Sequence, residues 1–238
     1  MCDGYGWFVM PLVLLHAFPV DSRMWRPQKM FNPITPEVLG TASIEDAADR
    51  VARLLDDAGI ERAVIGLSRG GYIVLSFARR HPNRASALVF CDTNAGLDDE
   101  PARRGRYDMA ERIRKEGIGF VPDIMLTRLL GDTSFRERAE LVEEVRGWIL
   151  EQDPEAVAAA SIGMAERADS RPILGSIGVP VLAIAGQQDS SHEKTREIAE
   201  HVRNGRFVSI PRAGHLSNLE QPEAFNAALQ QFLAEHKL

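Results

Sequence analysis

Val64-Ile65-Gly66-Leu67-Ser68-Arg69-Gly70-Gly71 is the stretch from which the rest of the chain can be read. Ala63–Leu67 is a compact apolar run of the kind that forms a buried strand. Tyr72–Arg80, after the glycines, reads as a helix that stops before Pro82. Ser68 therefore falls on a strand-to-helix turn. Such a turn strains the backbone at its central residue and tolerates only small neighbours, which Gly66 and Gly70 supply. It lifts the hydroxyl above the strand end and beside a helix N-terminus, where backbone donors favour an anion. The five-residue pattern alone also occurs in plain strand–helix turns. The flanking strand and helix make Ser68 a candidate nucleophile.

Outward from this turn, strands and helices alternate. Leu12–Leu15 is an apolar run ending in His16-Ala17-Phe18-Pro19, a strand entering a loop. Ile34–Leu39 is expected to be a second, shorter strand. Ser43 is expected to cap a helix, with Asp46 as an imperfect capping box and Ala47, Val51, Leu54 and Leu55 on one face. Ala85–Cys91, Val179–Ala185 and Phe207–Ile210 read as strands, and Glu193–Val202 and Pro222–His236 as amphipathic helices. This order implies a mostly parallel twisted sheet covered by helices on both faces. From Asp98 to Asp169 the pattern is helical, punctuated at Asp132-Thr133-Ser134 and Gln152-Asp153-Pro154. Residues 98–169 are therefore expected to be a helical cap inserted into a core of residues 1–97 and 170–238.

Composition sets the outer limits. The chain has 238 residues, 45% hydrophobic and 26% charged, enough apolar material for one core domain with an insertion. Its formal charge of −6 gives no electrostatic footprint for nucleic acid. Basic clusters such as Arg103-Arg104 alternate with acids and read as solvated helix faces. The run Phe8–Leu15 is short and holds Pro11, so it reads as a strand and not as a membrane span or a signal core. Two cysteines, Cys2 and Cys91, do not support a disulfide scaffold, so a reducing, cytoplasmic setting is expected.

A serine hydroxyl needs a base, and the base an orienting acid. Of six histidines, His215 follows a strand, in Pro211-Arg212-Ala213-Gly214-His215, and reaches the same sheet edge as Ser68. His81 reads as a helix cap, His201 and His236 fall in helices, His192 in a polar loop, and His16 as a loop brace. The acid is expected after another strand, which makes Asp189 the first choice and Asp92 the second. The order Ser68, Asp189, His215 is the chain order known for a nucleophile on such a turn. Backbone N–H groups of Arg69 and Phe18 are the expected oxyanion donors. Phe18, Trp25 and Met125 are candidate substrate-lining residues, although each is also a natural core residue.

These motifs resemble the α/β-hydrolase superfamily, above all small carboxylesterases and 3-oxoadipate enol-lactonase-like hydrolases. His16-Ala17-Phe18-Pro19 resembles the oxyanion loop, with Ala17 where Gly is usual, and Gly66–Gly71 resembles the elbow, with Arg69 where Met is frequent. Phe90-Cys91-Asp92-Thr93, Ile162–Arg167, Gly186–Asp189 and Gly214-His215 are similar too. Trp25–Leu39 is shorter than its counterpart, and Ser190-Ser191-His192 lacks the usual proline. The resemblance implies an α/β-hydrolase fold and a cytoplasmic serine hydrolase acting on a small-molecule ester, with a lactone as the nearest alternative. It implies no cofactor, no metal, no nucleic acid and no membrane. A reading from another class is a binding protein that keeps the scaffold without turnover.

Overall fold

The computed structural model describes residues 12–41, 43–58, 62–82 and 84–238. Cys2 and the run before Leu12 lie outside them. Five strands, β1 (Val13–Leu15), β2 (Arg62–Leu67), β3 (Ala85–Cys91), β4 (Val181–Gly186) and β5 (Gly205–Ile210), form one parallel sheet in that spatial order. A parallel strand inside such a sheet is closed off on both faces, which is why β1 and β4 are uninterrupted apolar runs. Every residue of both is buried. The edge strand β5 is half-exposed and more polar.

Helices cover the sheet. α1 (Ile44–Ala58) starts where Ser43 Oγ accepts the Asp46 N–H at 3.0 Å, as the sequence leads one to expect. α2 (Arg69–Arg80) follows Ser68 directly and packs on α1 and β2. Between β3 and β4 come α3 (Glu100–Glu116), α4 (Val121–Leu129), α5 (Asp132–Glu137), α6 (Ala139–Leu150) and α7 (Pro154–Ala165), with no strand among them. Asp132-Thr133-Ser134 does not interrupt this series but opens α5; the break falls at Leu130-Gly131. Asp153 does mark a helix start, accepting the Ala156 N–H at 2.7 Å. At the base of the series Asp98 meets Arg106 of α3 and, at 2.9 Å, Arg167 beyond α7. α8 (His192–His201) packs on β4 and β5, α9 (Ser217–Glu220) is short, and α10 (Pro222–Glu235) closes the chain. His192 thus opens a helix instead of lying in a loop.

The expected strand Ile34–Leu39 is reduced to one residue. Ile34 pairs with β1 through Leu14 N–H to Ile34 O at 2.9 Å and Ile34 N–H to Leu12 O at 2.7 Å. Pro33 and Pro36 flank it, and neither has an N–H to extend a ladder. Before it, Ser22–Phe31 forms a 3-10 helix capped by the Asp21 carboxylate on the Arg23 N–H. This geometry still fixes where a site belongs. From β1 the chain crosses to Ile34 on one side, then returns to β2 on the other. Where the crossover direction reverses, the loops after β1 and β2 part and leave a crevice at the carboxyl edge. Those loops carry His16–Pro19 and Ser68.

Candidate active site

Ser68 holds φ 56° and ψ −114°, a left-handed φ that costs a non-glycine residue free energy. Its neighbours explain how the strain is held. A Cβ on Gly66 would collide with the Gly70 backbone, and one on Gly70 with the Leu15 carbonyl. Only glycine at both positions lets α2 begin this close to β1 and β2. The Ser68 N–H donates to Cys91 O at 2.9 Å, and its carbonyl accepts from Thr93 Oγ1 at 2.8 Å. The turn is thereby pinned to β3.

On the far side of β3, the β4 and β5 loops bring two more expected residues together. His215 Nδ1 lies 2.9 Å from Asp189 Oδ1, and Ser191 donates its hydroxyl to Asp189 Oδ2. A carboxylate only accepts, so Nδ1 carries the proton and Nε2 is left to face outward. Burial favours the neutral forms of both groups. Their mutual attraction outweighs it, holding Asp189 below the usual carboxylate range and pushing His215 up to about 9. Asp92 and Glu220 add to the rise at His215.

Asp92, the second-choice acid, is fully buried and otherwise engaged. It accepts the Gly186 N–H at 2.7 Å and the Ser217 hydroxyl at 2.5 Å. Burial, with Asp189 nearby, pushes its carboxyl well above the ordinary value. It makes no hydrogen bond to His215 among the described residues. Neither does Ser68: its hydroxyl and His215 Nε2 make no hydrogen bond there.

The oxyanion candidates are open. The N–H groups of Phe18 and Arg69 donate to nothing among the described residues, and the Arg69 N–H is the first in its helix. Phe18 and Met125 line a cavity of about 450 Å³ between α3 and α4, together with Met109, Phe120, Arg106 and Arg128. Trp25 does not belong there. It is 1% exposed and packs on Phe225 of α10, so the expectation that it lines a substrate site is corrected: it is core.

Glu220 escaped the sequence reading. Its buried carboxylate accepts the Gly214 N–H on one oxygen and the Gly131 N–H and Ser134 hydroxyl on the other, all at 2.7–2.8 Å. It joins the His215 loop to the α4–α5 junction, which also meets it through Leu216 N–H to Leu129 O at 2.9 Å. The one signal in the sequence is an acid five residues after His215, and nothing local shows that it turns inward.

A serine on a strained strand–helix turn, with a histidine–carboxylate pair beyond later strands of one parallel sheet, defines the hydrolase class built on this sheet. Comparison with known proteins agrees. The sequence model of the alpha/beta hydrolase family matches residues 12–228, and the chain belongs to that family. It is 30% identical over 195 residues, 81% of this chain and 71% of the relative, to 3-oxoadipate enol-lactonase 2 of Acinetobacter baylyi. A thermophilic esterase from Thermogutta terrifontis, solved with malate bound, is 36% identical with a TM-score of 0.92, over 96% of this chain and 91% of that one. The enol-lactonase of Burkholderia xenovorans is 26% identical with a TM-score of 0.81, over 94% and 92% of the two chains. Among the described residues, no helix is long and apolar enough to cross a membrane.

Proposed function

We propose that this hydrolase cleaves carboxylic esters through an acyl-enzyme on Ser68. The observation that carries the reading is the strained Ser68 turn on the same sheet edge as the 2.9 Å Asp189–His215 pair. His215 Nε2 takes the Ser68 proton as Oγ bonds to the ester carbonyl carbon. The carbonyl π electrons move to oxygen, and the N–H groups of Phe18 and Arg69 hold that charge. The intermediate collapses, the C–O bond to the alcohol breaks, and His215 returns its proton to the leaving oxygen. Water, deprotonated by His215, then attacks the acyl carbon; the bond from that carbon to Ser68 Oγ breaks, His215 returns the proton to Oγ, and the acid leaves. The open Ser68–His215 contact closes in this scheme when substrate fills the site, as catalytic hydrogen bonds commonly tighten on binding.

Residues 98–169 act in this reading as a cap whose α3–α4 cavity accepts the acyl or alcohol part of a small ester. The likeness to two enol-lactonases supports a second reading, ring opening of a small lactone by the same groups. A fluorophosphonate probe tests the nucleophile: it should label the wild type and leave Ser68→Ala unlabelled. A folded wild type that stays unlabelled would favour a binding protein on this scaffold. A panel of p-nitrophenyl esters of rising acyl length, with simple lactones beside them, separates the two substrates.

A further inference from the structure

Arg69 offers the site a backbone N–H, and its side chain is a buried charge beside that site. The guanidinium is completely buried and meets no carboxylate within ion-pair distance among the described residues. Burial pulls its pKa down to about 10, with only the more distant Glu37 opposing, and its Nε donates to nothing. A buried charge of this kind persists only where its remaining hydrogen bonds do something an apolar side chain cannot. Those bonds all go to one short segment. Nη1 donates to Val38 O at 2.9 Å, and Nη2 donates to Thr41 Oγ1 at 2.8 Å and Thr41 O at 3.4 Å.

That segment lacks a strand ladder, because Pro33 and Pro36 limit pairing to Ile34. The segment in turn reaches the oxyanion loop. The Val38 N–H points at His16 Nε2 and at Glu37 Oε1, 3.1 Å from each, and Glu37 Oε1 also meets His16 Nε2 directly. On the other side of the buried imidazole, Nδ1 lies 2.9 Å from the Ala17 carbonyl oxygen. A carbonyl only accepts, so Nδ1–H is the donor. The Ala17 carbonyl and the Phe18 N–H belong to one peptide unit, and this bond is trans. In a trans peptide the two lie in one plane and point in opposite directions within it. Fixing the Ala17 carbonyl therefore aims the Phe18 N–H.

We propose that Arg69 is a positioning residue for the oxyanion site, its side chain bracing Val38 and His16 so that the Phe18 N–H is aimed at the same point as Arg69's own backbone N–H. This inference rests on the acyl-enzyme reading above. One residue then supplies one donor through its backbone and orients the other through its side chain.

The test is Arg69→Met, with kcat counted per fluorophosphonate-titrated site so that unfolded protein does not enter. Losing an oxyanion donor outright costs about 10²–10³ in kcat, so misaiming one should cost about 10–100-fold, with KM changed less than about threefold. A trifluoromethyl ketone, which forms an oxyanion adduct on the serine, should lose affinity in parallel with kcat/KM. Thr41→Val removes a single contact of the brace and should give a smaller loss of the same kind, which keeps the test alive if Arg69→Met does not fold. Phe225→Leu, a core change on α10, controls for lost stability and should leave kcat per site unchanged. An Arg69→Met enzyme with wild-type kcat per site and unaltered ketone affinity would overturn the inference while leaving the hydrolase reading intact. A folded wild type that neither labels nor turns over any ester would overturn both.

Discussion

The two flanks of Ser68 solve opposite electrostatic problems. Toward β4 and β5, one imidazole is faced by three buried carboxylates: Asp189 at hydrogen-bond distance, then Asp92 and Glu220. Toward β1, one buried guanidinium is surrounded by carbonyl and hydroxyl oxygens, with its nearest carboxylate, Glu37, beyond contact. The first arrangement stores negative charge around a group that must gain a proton. The second stores none at the reacting point and instead fixes the direction of backbone dipoles. That division suits acyl transfer, where one side handles a proton and the other an oxyanion.

The deepest way to break this picture is at the shared centre. Ser68→Ala should abolish labelling and lower kcat on a p-nitrophenyl ester by about 10⁵–10⁶, by analogy with nucleophile removal in a serine protease. If instead a residual rate within tenfold of wild type survived, neither flank would be serving Ser68.

Next comes the charge around His215. Asp189→Asn keeps the shape but no longer fixes which ring nitrogen carries the proton, and should cost about 10⁴ in kcat. Asp92→Asn keeps an acceptor oxygen for the Gly186 N–H and turns its amide NH2 toward the Ser217 hydroxyl, which can rotate to accept, and should cost about tenfold or less, since Asp92 has no bond to His215. Parallel steady-state kinetics on the two variants decides between them. A reversal, with Asp92→Asn the crippling change, would move the orienting acid to the β3 loop.

How much of this was legible beforehand differs between the flanks for physical reasons. Ser68 and Asp189 follow apolar strands, and His215 follows the short run Phe207–Ile210 of the edge strand; such strand ends are visible as composition changes. The β1 flank was harder to read. Ile34–Leu39 has apolar residues at strand-like spacing, yet Pro33 and Pro36 remove the donors that a ladder needs. Trp25 reads either as pocket lining or, more commonly, as core, and the partner that decides it, Phe225, lies on the last helix. Arg69 was legible as a backbone donor because its position after the serine says so. Its side-chain role depends on Val38 and Thr41, which the fold, not sequence proximity, brings to it. Glu220 was invisible for the same reason: burial of an acid depends on what packs over it.

The finest test of the contrast is Glu220→Gln, because it removes one charge from the carboxylate flank with little change in shape. The wild-type profile follows from His215. Its folded value of about 9 lies above the ordinary 6.5, so in the resting enzyme at neutral pH the ring is mostly protonated and cannot yet take the Ser68 proton. kcat/KM should therefore rise with pH toward about 9, while the stability that the charged ring contributes is full below its unfolded value and is lost as pH climbs through about 9. Glu220 helps hold the ring charged, and its own carboxyl is raised by burial despite its three hydrogen-bond donors. In the Gln variant the alkaline-rising limb of kcat/KM should move to lower pH, since only Asp189 and Asp92 still face the ring. The side-chain amide nitrogen also now confronts N–H or O–H donors from Gly131 and Ser134 or from Gly214, which should cost on the order of 1–2 kcal/mol and hold the His215 loop less firmly. The plateau rate should then fall by about tenfold at most, measured by pH–rate profiles beside urea unfolding. A limb that stays in place while stability drops would make Glu220 a tether for the α4–α5 junction alone, and would leave the charge on this flank to Asp189 and Asp92.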